Sequence, residues 1–284
     1  MAQPLVQIVY NPASGGYSPA RIGALRVAFE ARHARTVLTP TGREPIAIDA
    51  DADLLCVAGG DGTVRHAAQA VRRAGRPIAI AIYPSGTVNL LSREIGADTA
   101  PDPLAGRLLG GEHRLCYGVT LDETLFLACA SVSPEAWAVG SVSVALKRRI
   151  GRLAYAAALL PFLRRWPRVP IRIDVDGRSI ACEAFYVAKG RYFAGRWVLS
   201  PRAGLAVKTM ELVILKTARR RDMARFWTRL LLHRPVDDLP FVETVTCTAF
   251  SASAGTPLAV QADGDIAAAL PARFAMIPDP FAFA

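Results

Sequence analysis

Along the first third of the chain, short apolar blocks alternate with stretches of helical spacing. Leu5–Tyr10 is apolar-rich throughout and predicts a buried strand. Ile22, Leu25, Val27 and Phe29 recur at helical intervals and predict a helix over Arg21–Arg32. Arg35–Leu38, Leu54–Ala58 and Pro77–Tyr83 predict further strands, with helices at Gly62–Arg73 and from Leu90 to Ile95. Strands alternating with helices imply an α/β fold built on a doubly wound parallel sheet. Ligands of such sheets bind beyond the carboxyl ends of the strands. The residues just after each strand therefore carry the chemical interest.

The rhythm changes near residue 115. Leu115–Thr120, Thr124–Ser131, Ile171–Val175, Cys182–Ala188, Glu211–Leu215 and Thr244–Phe250 read as strands, with turn signals such as Val175-Asp176-Gly177-Arg178 between them. Two helical stretches interrupt, at Val142–Arg165 and Arg221–His233. The expected organisation is an α/β nucleotide domain over 1–115, then a β-rich, antiparallel, sandwich-like domain over 116–284. The last strand is free to return to the first domain.

Composition narrows the class. At 284 residues and 52% hydrophobic, the chain is long enough for two domains and too apolar to be disordered. The formal charge is +10, which fits either an anionic partner or a surface of arginine-rich helices. The five cysteines, Cys56, Cys116, Cys129, Cys182 and Cys247, form no C-x-x-C pair. They argue against a disulfide framework or zinc site and suit a reducing compartment. The histidines at 33, 66, 113 and 233 lack metal-ligand spacing. Met-Ala-Gln-Pro leads straight into a strand, with no signal-peptide pattern. The longest apolar run, Leu153–Leu163, is shorter than the roughly 18 residues a membrane span needs. The expectation is a cytoplasmic protein, soluble or peripheral to a membrane.

The strand Leu54–Ala58 runs into Gly59-Gly60-Asp61-Gly62-Thr63 and then a helix. Three glycines in four positions let backbone N–H groups converge on an anion. The helix N-terminus adds its dipole. Thr63 offers a hydroxyl, and Asp61 a carboxylate that either holds Mg2+ or fixes the loop. A plain strand-to-helix turn is the simpler reading of this segment alone. Walker A, G-x-G-x-x-G and protein-kinase signatures are all absent. Two more strands end in comparable loops, Asn11-Pro12-Ala13-Ser14-Gly15-Gly16 and Pro84-Ser85-Gly86-Thr87-Val88-Asn89. Three such loops after successive strands suit a cradle for phosphates and a sugar.

Together these segments resemble the diacylglycerol kinase catalytic family, which includes bacterial lipid kinases and the sphingosine and ceramide kinases. Leu91-Ser92-Arg93-Glu94-Ile95-Gly96, Gly151-Arg152-Leu153-Ala154-Tyr155, the segment 190–201 and Ala262-Asp263-Gly264-Asp265 extend the likeness over nearly the whole chain. The resemblance implies an ATP site in the first domain, a lipid-facing β-rich second domain and an active site between them. It implies that Mg-ATP phosphates lie on Gly59, Gly60, Asp61, Gly62 and Thr63, with Asn11, Gly86, Thr87 and Asn89 nearby and Thr39 touching the nucleotide. Asp265, at the end of the family's late D-G-E, is implied as the general base, with Asp61 orienting Mg2+. The chain departs from the family at three points. Asp265 stands in place of Glu, and Leu90 where many relatives carry Asp. Val207 stands where bacterial members hold a structural metal, so no protein-held metal is expected there, and Lys208 is the candidate replacement charge.

Two basic helical stretches are candidates for an anionic membrane surface. One combines Lys147, Arg148, Arg149 and Arg152 with Leu153–Leu163 and Arg164, Arg165 and Arg168. The other interleaves Arg219–Arg221, Arg225 and Arg229 with Met223, Phe226, Trp227 and Leu230–Leu232. The plainer alternative is a core-facing helix with a solvated basic back. No nucleic-acid module accompanies the charge, so no nucleic-acid partner is expected. The expected activity is γ-phosphoryl transfer to the hydroxyl of a lipid such as diacylglycerol, ceramide or a sphingoid base. The rivals are a kinase of a soluble hydroxyl compound, as in NAD kinases, and a degenerate lipid-binding protein. Oligomeric state is not legible.

Overall fold

The computed structural model describes residues 3–134 and 168–284. The predicted helix Val142–Arg165, the Gly151–Tyr155 motif and the basic cluster from Lys147 to Arg165 lie outside the described residues. The chain divides into two compact units, Met1–Tyr117 with Asp279–Ala284, and Gly118–Pro278.

The first unit contains β1 (Leu5–Tyr10), α1 (Pro19–Glu30), β2 (Arg35–Pro40), β3 (Leu54–Gly59), α2 (Asp61–Ala74), β4 (Ala79–Pro84), α3 (Leu90–Ile95), α4 (Pro101–Leu109) and β5 (Arg114–Cys116). With β18 (Phe281–Phe283) they form one sheet in the order β2-β1-β3-β4-β18-β5. Strands β1 to β4 pair in parallel. Strand β18 pairs parallel to β4 and antiparallel to β5. One face of the sheet, with Val6, Ile8, Cys56, Ala58 and Ala81, packs on Ile22, Leu25 and Phe29 of α1 and Leu104 and Leu108 of α4. Ser18 caps α1 by accepting the Arg21 amide at 3.2 Å, and Pro19 stands just inside the helix. Helix α2 stops at Gly75, whose φ of +67° is left-handed. Helix α4 escapes sequence reading because Pro101 and Pro103 read as breaks. Both sit in its first turn, where a missing N–H costs nothing.

The second unit holds β6 (Val119–Leu121), β7 (Thr124–Phe126), β8 (Cys129–Val132), β9 (Ile171–Val175), β10 (Arg178–Cys182), β11 (Ala184–Ala188), β12 (Met210–Leu215), α5 (Arg220–Leu231), β13 (Val242–Cys247), β14 (Ala249–Ala254), β15 (Ala259–Ala262), β16 (Asp265–Ala269) and β17 (Ala272–Met276). They form two antiparallel sheets, β10-β9-β14-β17-β6-β7 and β13-β12-β11-β8-β15-β16. The core between them draws Val119, Phe126, Ile173, Phe250 and Phe274 from one sheet and Val132, Phe185, Leu212, Ile214 and Val260 from the other. Phe250 stacks on Phe274 at 4.3 Å, and Phe185 meets both edge-on at 5.8 Å. The fold is thus α/β with an antiparallel sandwich-like second half.

Four predicted strands are each two strands. Leu115–Thr120 breaks between β5 and β6, which belong to different units. Thr124–Ser131, Cys182–Ala188 and Thr244–Phe250 break where the chain leaves one sheet of the sandwich for the other. At the β7–β8 corner Phe126, Leu127, Ala128 and Cys129 all stay buried, so hydrophobicity runs through it unbroken.

At the β7–β8 corner the strand ladder is replaced by one side chain. The buried Asp263 carboxylate accepts the amides of Leu127 and Ala128 at 2.8 Å and of Cys129 at 3.0 Å. Asp263 itself sits in the turn between β15 and β16, with φ of +48°, followed by Gly264 at +93°. The Asp-Gly pair thus makes the tight hairpin its sequence predicts, and its carboxylate binds a second hairpin. We expect Asp263→Ala to destabilise the fold by about 3 kcal/mol in urea titrations, because three buried amides lose a charged acceptor. Asp263→Asn is expected to cost roughly half as much, since one amide oxygen still accepts.

Candidate nucleotide site and acceptor-side groups

The three glycine-bearing loops that follow β1, β3 and β4 come together in the first unit. Their closest contact is backbone on backbone. A Cβ placed on Gly86 would lie 2.5 Å from the Gly60 Cα and 2.7 Å from the Asn89 Oδ1. A Cβ on Gly59 would fall 2.4 Å from the Thr63 side chain. These two glycines are required by proximity, not by turn conformation.

Hydrogen bonds complete the closure. Asn11 donates its Nδ2 to the Thr63 hydroxyl at 3.3 Å, joining the first loop to α2. The Ser14 and Ser85 hydroxyls share a hydrogen bond of 2.9 Å. The Gly16 amide donates to the Ser85 carbonyl at 2.9 Å, and the Ser85 amide to the Gly59 carbonyl at 3.0 Å. Asn89 closes its own loop, accepting the Gly86 amide at 2.9 Å and donating to the Gly86 carbonyl at 2.8 Å. Its φ of +52° is the left-handed conformation that asparagine tolerates. Thr87 stands exposed at the tip. Thr39 lies at the end of β2, where its hydroxyl accepts from the Gln7 Nε2 at 3.0 Å; no bond ties it to the three loops.

Helix α2 begins at this junction. Gly60 is its N-cap, and no side chain caps it. An uncapped N-terminus faces its ligand with backbone N–H groups and the positive end of the dipole, an anion site in waiting. The Asp61 carboxylate accepts the Leu91 amide at 3.0 Å and so serves the N-terminus of α3. Burial pushes its carboxyl above the ordinary carboxylate range, against the opposing pull of backbone amides led by that of Leu91.

Sequence reading missed Arg21. It stands in the first turn of α1, where a cation opposes the helix dipole. The position is explained by its acceptors: Nη1 donates to the Gly16 carbonyl at 2.6 Å and Nη2 to the Pro84 carbonyl at 3.3 Å. The guanidinium also lies 4.6 Å over the Tyr83 ring. Arg21 thereby clamps the first loop to the third. Its only sequence signal is the misplaced charge.

In the second unit Asp265 is exposed at the start of β16, paired in register with Ala262. The segment 190–201 holds a single bridge, Phe193 to Trp197, in place of a strand pair. Loop 200–207 is fixed by two buried groups of opposite charge. The Lys189 ammonium, fully buried, donates to the carbonyls of Gly204 at 2.6 Å, Leu205 at 3.2 Å and Val207 at 2.9 Å. The Glu211 carboxylate accepts from Ser200 at 3.1 Å, Arg202 at 3.0 Å and Thr246 at 2.6 Å. Lys189 is the buried cation of this loop, and Lys208 is exposed. Among the described residues, no three His, Cys, Asp or Glu side chains gather as a metal cluster.

The glycine-bearing loops thus close at the carboxyl ends of a parallel sheet, and an antiparallel sandwich follows in sequence. Residues 6–117 match the diacylglycerol kinase catalytic domain, and residues 133–283 match the YegS C-terminal NAD kinase beta sandwich-like domain. The chain belongs to the diacylglycerol kinase family. It is 27% identical over 236 residues to a diacylglycerol kinase of Mycobacterium tuberculosis, covering 80% of this chain and 74% of that one. It is 24% identical over 282 residues to one of Staphylococcus aureus, covering 94% and 88%. A solved structure of a diacylglycerol kinase from Bacillus anthracis shares the fold with a TM-score of 0.77 at 18% identity, covering 98% of this chain and 96% of that one. The chain is accordingly a kinase of a hydroxyl acceptor, and its family implies the use of ATP.

Gly86→Ala is expected to push the second and third loops apart, weakening nucleotide affinity at least tenfold in calorimetry and costing about 1–3 kcal/mol of stability. For Asp61 the raised carboxyl means that ionisation is disfavoured in the folded chain. Its stability contribution is present at low pH and is lost as pH rises through the raised value. Asp61→Asn keeps an acceptor for Leu91, so it should fold normally and lack that component in melting curves taken across the acidic range.

Proposed function

We propose that the chain is an ATP-dependent lipid kinase that transfers the γ-phosphoryl group to a hydroxyl of a lipid such as diacylglycerol, ceramide or a sphingoid base. The observation that carries this reading is the closure of three loops around the uncapped N-terminus of α2. The names of the curated relatives supply the acceptor class.

Phosphoryl transfer asks a protein mainly for positioning and charge neutralisation. In this reading the nucleotide phosphates rest on Gly59 to Thr63, with Asn11, Gly86, Thr87 and Asn89 lining the cradle. Thr39 touches the nucleotide from the end of β2. Magnesium commonly binds through substrate phosphates, water and one or two carboxylates. The donor set offers one carboxylate for that mode: Asp61 lies at the cradle, bonded to the Leu91 amide, and would orient Mg2+ through water. Asp265 takes the proton of the acceptor hydroxyl. It is one methylene shorter than the family glutamate, and its exposed position makes it accessible to an incoming lipid.

The protein acts in the cytoplasm at a membrane surface. Among the described residues no helix is long and apolar enough to cross a membrane. All five cysteines are buried thiols, consistent with a reducing compartment. A second reading, phosphorylation of a soluble compound such as NAD, draws support from the NAD kinase-like character of the matched C-terminal domain.

The deciding experiment follows labelled γ-phosphate from Mg-ATP into detergent-dispersed lipids, with NAD as the soluble acceptor. A labelled lipid is expected. Labelled NADP would replace the first reading with the second, and ATP binding without transfer to any acceptor would overturn both. Asp265→Asn should lower turnover a hundredfold or more while ATP affinity stays unchanged. Wild-type turnover in that variant would remove Asp265 from the mechanism.

A further inference from the structure

Lys189 follows the last residue of β11, and its side chain is fully buried. Its amide and that of Gly190 both donate to the Ala128 carbonyl, at 3.0 and 2.7 Å. Ala128 belongs to the corner whose amides Asp263 accepts. The root of the lysine is therefore fixed in the frame of the second unit. From there its ammonium reaches loop 200–207 and donates to the carbonyls of Gly204, Leu205 and Val207 at 2.6, 3.2 and 2.9 Å.

The loop is shaped around that group. It makes two turns in succession, closed by the Ala203 amide on the Ser200 carbonyl at 3.3 Å and the Val207 amide on the Gly204 carbonyl at 3.2 Å. The second turn curls its carbonyl oxygens about one point, and buried Leu205 pins it from within. Main-chain carbonyls gathered in this way are the ligands that hard cations take. Three acceptors use all three N–H bonds of an ammonium, whereas a neutral amine has only two. The group in the cage is therefore the charged lysine.

The structural metal that the family resemblance implies beside Val207 does not fit these residues. The valine side chain offers no donor atom. The carbonyls left to coordinate an ion already hold the ammonium, and a second cation among the same oxygens would be repelled at close range. The Glu211 carboxylate, at the other end of the loop, is engaged by Ser200, Arg202 and Thr246.

We propose that the Lys189 ammonium is the chain's built-in structural cation, filling a carbonyl cage that an ion would otherwise have to fill, so that loop 200–207 folds without divalent metal. A tethered cation behaves differently from a diffusible one. Chelation cannot remove it, and the loop is as stable in low magnesium as in high. Truncating the side chain leaves an opening lined by three carbonyls, which a small alkylammonium ion of matching shape can enter. None of this depends on which acceptor is phosphorylated.

The test is melting of the full chain without nucleotide, so that magnesium bound through phosphates plays no part. Wild-type protein should melt at the same temperature in EDTA and in millimolar Mg2+ or Ca2+. Its 200–207 amides should exchange with deuterium equally slowly in both. Lys189→Met keeps an apolar stem and removes the charge, and should lower the melting temperature by about 10 °C. Lys189→Ala should melt lower still and regain part of the loss in ethylammonium chloride, which replaces the missing end of the side chain. Tetramethylammonium chloride, which has no N–H, and n-propanol, which has no charge, should not restore it. Loss of wild-type stability or of loop protection on chelation would reveal a metal there and overturn the proposal. So would wild-type melting of Lys189→Met, or rescue of Lys189→Ala by propanol as good as that by ethylammonium. The wild-type comparisons need no variant, and they decide the matter if neither substituted chain folds.

Discussion

The backbones of Gly60 and Gly86 touch, and the geometry of the nucleotide half depends on that contact. Any side chain at Gly86 would collide with the Gly60 Cα at 2.5 Å. Because the two loops meet backbone to backbone, the first turns of α2 and α3 lie side by side. Asp61 can then begin one helix while its carboxylate serves the other. Asn89 locks the third loop from within, and Asn11 and Arg21 bring the first loop onto the pair. The N-terminus of α2 is left without a side-chain cap at the centre of the closure, which is the arrangement that suits an anionic ligand.

The second unit obeys a different rule. Its two sheets bury a common apolar core, and the chain crosses between them at corners where ladder bonds run out. A buried backbone amide without an acceptor is costly, so a polar side chain is brought in to serve it. Asp263 does this for three consecutive amides at one corner. Lys189 performs the inverse task, giving one ammonium to three carbonyls of loop 200–207, while Glu211 gathers hydroxyls and a guanidinium at the loop's other end. A carboxylate and an ammonium buried in this way have roles set by the backbone they satisfy.

Helix α5 shows how packing sorts residues that composition leaves mixed. Its arginines and aromatic residues alternate in a manner equally suited to a core helix and an interfacial one. Stacking of Phe226 on Tyr186 and of Trp227 against Phe193 and Trp197 assigns the aromatic residues to the protein. The arginines and the terminal leucines are left on the outside. The folding-back of residues 232–239 then sets Arg234 and Asp238 beside the last turn of the helix, where Asp238 pairs with Arg229.

Much of this was legible in the chain itself. The strand β1 and the helix α3 stand where the pattern of apolar residues puts them, because their signals are local. The three small-residue loops were recognisable by position after strands, and the parallel sheet brings them together. The Asp176-Gly177 and Asp263-Gly264 turns form at left-handed φ values that those residue pairs favour. The β7–β8 corner was not legible, since burial continues through it. Nor were Arg21, Lys189, Glu211 and the carboxylate role of Asp263, whose partners lie far away in sequence and are chosen only when the backbone groups they satisfy are brought into reach. The sequence by itself determined the alternation of strands and helices in the first unit and where small-residue loops follow strands, because those depend on neighbours a few residues apart. Tertiary structure alone decided which polar groups are buried, which face of α5 meets solvent, and that Asp61 serves a helix thirty residues on, because those outcomes depend on contacts that exist only in the folded chain.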